Sequence, residues 1–198
     1  MDKMGKKFSI SYNSPVVLTF SLICLGALVL GFVTGGYTNG LLFSVYRSSL
    51  ADPLTYFRFV GHVFGHAGWD HFIGNMTLLL VVGPLLEEKY GSQNIAFVIL
   101  ATAVITGLVN FIFFPHTALL GASGVVFAFI LLSSFTCMKD GKIPLTFILI
   151  VIIYIGGQVY QGIFVKDNVS NLTHIIGGGV GSGLGFAMSR NKMGSFSS

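Results

Sequence analysis

Apolar residues fall in six runs, 16–33, 71–86, 95–114, 123–138, 144–160 and 174–188, and every Asp, Glu, Lys and Arg lies between or outside them. A helix needs about 20 residues to cross the hydrocarbon core of a bilayer. The pattern therefore predicts an all-α polytopic membrane protein, a bundle of six transmembrane helices with no internal repeat. An even number of spans puts both termini on one side. The first connection, 36–70, is long and is not a polar linker. Leu41-Leu42-Phe43, Tyr56-Phe57 and Phe59-Val60 alternate there with Arg47, Asp52, Arg58 and His62. Amphipathic stretches of this kind lie in the headgroup region, so this first outer loop is expected to be interfacial. The other connections, 87–94, 115–122, 139–143 and 161–173, are short.

Composition agrees with the pattern. Of 198 residues, 53% are hydrophobic and 9% charged, where soluble domains carry roughly a quarter charged residues. A soluble core of this size has no room to hide so much apolar surface. By length this is one domain. It is expected to occupy 16–190, between a basic tail at 1–15 and a polar tail at 191–198. Cys24 and Cys137 both lie in apolar runs and suggest neither a disulfide framework nor metal-ligand spacing. Lys3, Lys6 and Lys7 ahead of the first run resemble the start of a signal peptide. Eighteen apolar residues exceed the usual h-region, however, and no small-x-small site follows. The run reads as a retained anchor.

The net charge of +4 comes from loops and tails, so it is not read as a nucleic-acid patch. With both termini in the cytoplasm, Lys3, Lys6, Lys7, Lys89, Lys139, Lys142, Arg190 and Lys192 are inside, and Arg47, Arg58 and Lys166 outside. That split obeys the positive-inside rule.

The orientation aligns three polar residues. His71, Ser123 and His174 each stand 16 residues before a charge at the cytoplasmic end of their run, namely Glu87, Lys139 and Arg190. At 1.5 Å per residue each lies roughly 24 Å above the inner boundary, or about 6 Å below the outer surface. Asn75 is one turn deeper than His71 on the same face.

A serine alone in a membrane helix reads as a packing residue. With two histidines and an asparagine at its level it reads as acyl-transfer chemistry. Ser123 is the candidate nucleophile, which needs an adjacent base, and His174 is the candidate base and later acid. The oxyanion needs donors aimed at it beforehand. His71, Asn75 and the backbone N–H of Ser123 are the candidates. All seven acids lie outside the runs, so a Ser–His dyad is expected rather than a triad. Gly-Ala-Ser-Gly-Val, 121–125, is not a G-x-S-x-G elbow. From His174, Gly177, Gly181 and Gly185 form a stripe on the histidine's face. Such a stripe lets a neighbouring helix come close, and Gly124 and Ala128 are correspondingly small.

His66-x4-His71-x3-Asn75, then Gly121-Ala122-Ser123-Gly124, then His174-x2-Gly177-x3-Gly181 resembles the signatures of the rhomboid intramembrane serine proteases, in the family's order. The resemblance runs from about Tyr56 to Arg190. Phe57-Arg58 is similar to the family's aromatic–Arg pair in the first loop, and Glu87 with Gly91 to its acid-x3-Gly piece. The resemblance implies a six-helix rhomboid-like bundle that cleaves transmembrane protein substrates in or near their spans. It implies Ser123 as nucleophile, His174 as base, and His71 and Asn75 in the oxyanion hole. It gives His66 a structural role in the first loop. No metal, no small-molecule cofactor and no nucleic acid are expected, with the lipid bilayer as the medium and a bacterial inner membrane as the expected location. Phe127 stands where many members carry a tyrosine packed on the catalytic histidine, so stacking is kept and a hydroxyl lost. Gly74 likewise departs from bulkier family residues.

Three other readings compete. His62, His66 and His71 are close enough in sequence to be weighed as zinc ligands, without an HExxH or an intramembrane carboxylate beside them. A catalytically silent binder of membrane helices would keep the same fold. A transporter would use Asn110, Gln158 and Gln161 to line a path, but no inverted repeat accompanies them.

Overall fold

The computed structural model describes residues 11–136 and, beyond them, residues 145, 146, 148, 149, 152, 153, 156, 175–180, 183, 184 and 187. The described residues are helical, apart from turns, loops and one isolated antiparallel bridge between Val45 and Leu119. In chain order the helices are α1 (Pro15–Val33), α2 (Tyr37–Leu41), α3 (Pro53–Gly61), a 3-10 turn (His62–Phe64), α4 (Trp69–Tyr90), α5 (Ser92–Phe113) and α6 (Ser123–Thr136). Residues 175–180 form a further helical stretch.

Helices α1, α4 and α5 are long and apolar enough to cross a membrane, at 19, 22 and 22 residues. Their outward faces carry large apolar side chains, such as Val81 and Leu85, 65% and 67% exposed. Side chains of this kind belong in lipid rather than water. Between the helices, Val17, Cys24, Leu79, Leu86, Ile95, Val98, Val125, Phe129 and Leu132 form the core.

Helix α4 outruns the apolar run 71–86 at both ends, because hydropathy does not set where backbone hydrogen bonding stops. The helix continues through Glu87 to Tyr90 and ends at Gly91, whose φ of +85° suits glycine. Glu87 therefore lies inside α4 rather than at its end. It is 4% exposed, and its two carboxylate oxygens accept from the N–H groups of Val16 and Val17, each at 3.0 Å. Ser92 Oγ donates to the same carboxylate at 2.7 Å. Pro15 starts α1, and no side chain of its own caps it. Glu87 supplies the missing acceptor from α4 and sits where the helix dipole favours an anion. Glu87→Ala leaves buried donors unmatched and is expected to cost about 2–4 kcal/mol. It should appear as a lower melting temperature in detergent, with Glu87→Gln in between. An unchanged melting temperature would contradict the cap.

The first loop, between α1 and α4, is built, not loose. Asp52 caps α3 by accepting from Leu54 N at 3.0 Å. Arg58, 4% exposed, pairs with Asp52 at 3.2 Å, donates to the Leu41 carbonyl at 2.8 Å and lies over the Tyr46 ring. Tyr56 and Phe57 on the same helix are exposed. At its inner side Gly107 of α5 leaves room for the loop. A side chain there would come 2.8 Å from the Phe59 carbonyl oxygen.

Candidate active site

Gly121 is the hinge of the site. Its φ is +130°, and its N–H donates to the His62 carbonyl at 2.9 Å. A Cβ on it would stand 2.7 Å from His71 Cε1, 2.8 Å from His71 Nε2 and 3.8 Å from Ser123 Oγ. Glycine is thus required twice, by conformation and by the imidazole lying on its backbone. The same numbers bring the His71 ring and the Ser123 hydroxyl to one spot, although 52 residues separate them in sequence. Ser123 is the first residue of α6 and is half-buried. Backbone N–H groups at such a start point away from the helix with no partner inside it. A small cavity of about 10 Å³ lies beside it, lined by His62, Val63, Thr106, Leu119, Gly121, Ser123 and Gly124.

Asn75 lies one turn further along α4 than His71 and is 8% exposed. Its Nδ2 is buried with no hydrogen-bond partner among the described residues. An idle buried donor carries a desolvation cost of about 1–3 kcal/mol. His66 is fully buried, and its Nδ1 donates to the Phe64 carbonyl at 3.1 Å. Its ring meets His71 edge-on at 5.1 Å and Phe72 at 5.4 Å, and its carbonyl accepts from Asn39 Nδ2 at 3.1 Å. His66 is the brace between the first loop and His71.

Gly177, in the stretch 175–180, lies against Gly124. A Cβ on it would stand 3.0 Å from both Gly124 Cα and Gly124 O. The adjacent Gly178 faces the ring of Phe127, which is 1% exposed. The stretch 175–180 and α6 thus touch backbone to backbone within one turn of Ser123. His174 and Gly181 lie outside the described residues.

In the sequence His62 stands out only as a polar position of the first loop and as a possible metal ligand. It is 1% exposed, its Nε2 donates to the Ala103 carbonyl at 3.0 Å, and its own carbonyl holds Gly121. The available signal was on α5, where Thr102, Thr106 and Asn110 recur every four residues in an apolar run. All three are buried and face this site and its loop. His116 is exposed.

Burial lowers the pKa of His62 to about 4 from 6.5, against the small opposing pull of the Ala103 carbonyl. Burial does the same to His66, also to about 4, with the neighbouring His71 adding to the effect. Both are neutral in the folded protein near pH 7. Unfolded, they bind protons below about pH 6.5, so the unfolded state gains protons first. Stability is therefore full above pH 6.5 and falls as the pH drops towards 4. For His62 the loss is on the order of 3 kcal/mol. Melting temperature in detergent should decline from pH 7 to pH 5, and His62→Gln should flatten that decline. Equal slopes in wild type and variant would contradict it.

Residues 53–191 match the family model described as Rhomboid domain. The chain belongs to the rhomboid family. With three helices able to cross a membrane among its described residues, this rhomboid is a multi-pass membrane protein. It is 32% identical to mouse Rhomboid-related protein 2 over 160 residues, 70% of this chain and 53% of that protein. It is 28% identical to Rhomboid-related protein 1 of Caenorhabditis elegans over 143 residues, 68% of this chain and 40% of that one. Against Rhomboid protease GluP of Bacillus subtilis (strain 168) the identity is 27% over 175 residues, 83% of this chain and 33% of the relative. The chain therefore spans about half or less of the length of these relatives.

Proposed function

We propose that this rhomboid is an intramembrane serine endopeptidase that hydrolyses peptide bonds in or near the transmembrane segments of other membrane proteins. The observation that carries the reading is the meeting of His71 and Ser123 Oγ on the Gly121 backbone, with the idle Asn75 amide one turn deeper. The protease named among its relatives supports it.

In this reading Ser123 Oγ attacks the scissile carbonyl carbon as His174 takes its proton. The carbonyl oxygen becomes an oxyanion. His71, the Asn75 Nδ2–H and the Ser123 backbone N–H donate to it. The tetrahedral intermediate collapses, and His174 returns the proton to the leaving amine. Water, deprotonated by the same imidazole, then attacks the acyl-serine; the Cacyl–Oγ bond breaks, the imidazolium returns the proton to Ser123 Oγ, and the carboxylic product leaves. The approach of Gly177 to Gly124 supports the pairing, because His174 precedes Gly177 by only three residues in sequence. No buried carboxylate is needed. Glu87, the buried acid of the described residues, is committed to α1.

The catalytic domain is proposed to be 16–190, with six spans and both termini in the cytoplasm of a bacterial inner membrane. The site then opens to the outer face, on the side of the first loop. The test is cleavage of a single-span reporter in liposomes. Wild type should cleave it in the presence of chelators. Failure to cleave, or cleavage abolished by chelators and retained in Ser123→Ala, would sink the reading.

A further inference from the structure

The loop that delivers Ser123, residues 114–122, is held from outside itself. Val45 of the first outer loop forms an antiparallel bridge with Leu119, N–H to O at 2.9 Å both ways. Four residues before Ser123 the chain is thus already fixed to a segment that precedes it by more than 70 residues. Asn110, fully buried in the last turn of α5, lies beneath this bridge. One nitrogen, Asn110 Nδ2, donates to the Val45 carbonyl at 3.0 Å and to the Thr117 carbonyl at 3.0 Å. Its hydrogens join the first loop to the serine loop across the end of α5. Its Oδ1, by contrast, is buried with no partner among the described residues.

That asymmetry says what the side chain is for. A buried idle acceptor is unfavourable, and an apolar residue would remove it. The side chain is worth its cost for two hydrogens on one uncharged atom. Aspartate and leucine, of similar shape, supply neither when aspartate is ionised, and serine or threonine supplies one. Arg47 reinforces the same end of α5, donating to the Phe111 and Ile112 carbonyls at 2.9 Å each.

We propose that Asn110 is a positioning residue for the proposed nucleophile. By clasping Val45 to Thr117 it fixes where the Gly121 turn sets Ser123 against His71. The inference rests on Ser123 as nucleophile. Asn110 touches neither substrate nor reacting atoms. It acts through five bonds of geometry: its own two, the two of the Val45–Leu119 bridge, and Gly121 N–H on the His62 carbonyl. A displacement of the serine by about 1 Å is enough to lower turnover by as much as a hundredfold, while the substrate's span still docks on the helices.

The test compares full-length wild type, Asn110→Ala and Asn110→Leu in liposomes with a single-span reporter. Alanine leaves space in which water can bond the two carbonyls. Leucine fills the space, leaving the Thr117 carbonyl unmet and the Val45 carbonyl with only its bridge bond from Leu119. A clasp therefore ranks kcat as wild type, then alanine, then leucine, with leucine lower than wild type by about tenfold or more and KM within about twofold. A packing role ranks leucine above alanine, and that order overturns the proposal, as does wild-type kcat in both variants. If the leucine variant does not fold, alanine decides. A kcat lowered severalfold at unchanged KM and unchanged melting temperature supports the clasp, and an unchanged kcat removes it. Wild type that fails to cleave while remaining folded would instead count against the serine reading itself.

Discussion

Ser123→Ala is expected to lower reporter cleavage by a factor on the order of 10⁴ while leaving the melting temperature within a few degrees of wild type. Ser123 begins α6 and is half-buried beside a cavity of about 10 Å³. Loss of one oxygen there removes a hydrogen-bonding group but no packing of consequence. If the hydroxyl forms the covalent bond, nothing replaces it. What remains is the contribution of oxyanion donors and binding, which does not restore turnover. Asn75→Ala gives the internal contrast. One donor of several is lost, and the expected loss in kcat is about tenfold to a thousandfold, with KM little changed. Both variants assayed beside wild type check the ranking. Equal losses, or a serine variant that retains a tenth of wild-type activity, would contradict the assigned roles.

Gly177→Val is expected to reduce turnover by about a hundredfold. Here the effect is steric. Even a methyl group at 177 meets Gly124 Cα and O at 3.0 Å, tighter than ordinary van der Waals contact, and both atoms are backbone. Neither has a rotamer to move to, so the helices themselves must separate. A branched side chain widens the gap further. In the proposed mechanism that gap opens between the serine and the base, so chemistry is lost before folding is. Gly179→Ala is the control, because Gly179 is exposed and a Cβ there meets nothing within 4 Å. The pair should be assayed for kcat and for insertion into membranes. Similar turnover in the two variants would contradict the close approach as the cause.

Much of this arrangement was legible as periodicity. The first and third apolar runs match α1 and α5 to within three residues at either end, since there the apolar stretch and the hydrogen-bonded stretch coincide. The second did not. Helix α4 extends three residues past Glu87, and that glutamate, read as the charge ending its run, is a buried cap on α1. Its partners on α1 are 71 and 70 residues away, and no local pattern announces a bond of that span. Gly121 read as part of a motif. That it bears both a positive φ and an imidazole is a tertiary fact. Asn110 entered the sequence reading only through the transporter alternative that was set aside, because sequence shows a polar group in an apolar run without showing its partners. Val45 and Thr117 lie 65 and 7 residues from it, on either side.

The central claim is that the Ser123 hydroxyl is a nucleophile poised in the membrane, and covalent capture tests it most directly. Wild type in liposomes, treated with a fluorophosphonate and digested, should carry a single adduct on the peptide containing Ser123, and Ser123→Ala should carry none. An unmodified wild-type peptide under conditions where the protein is folded, or equal labelling of wild type and Ser123→Ala, would contradict the account.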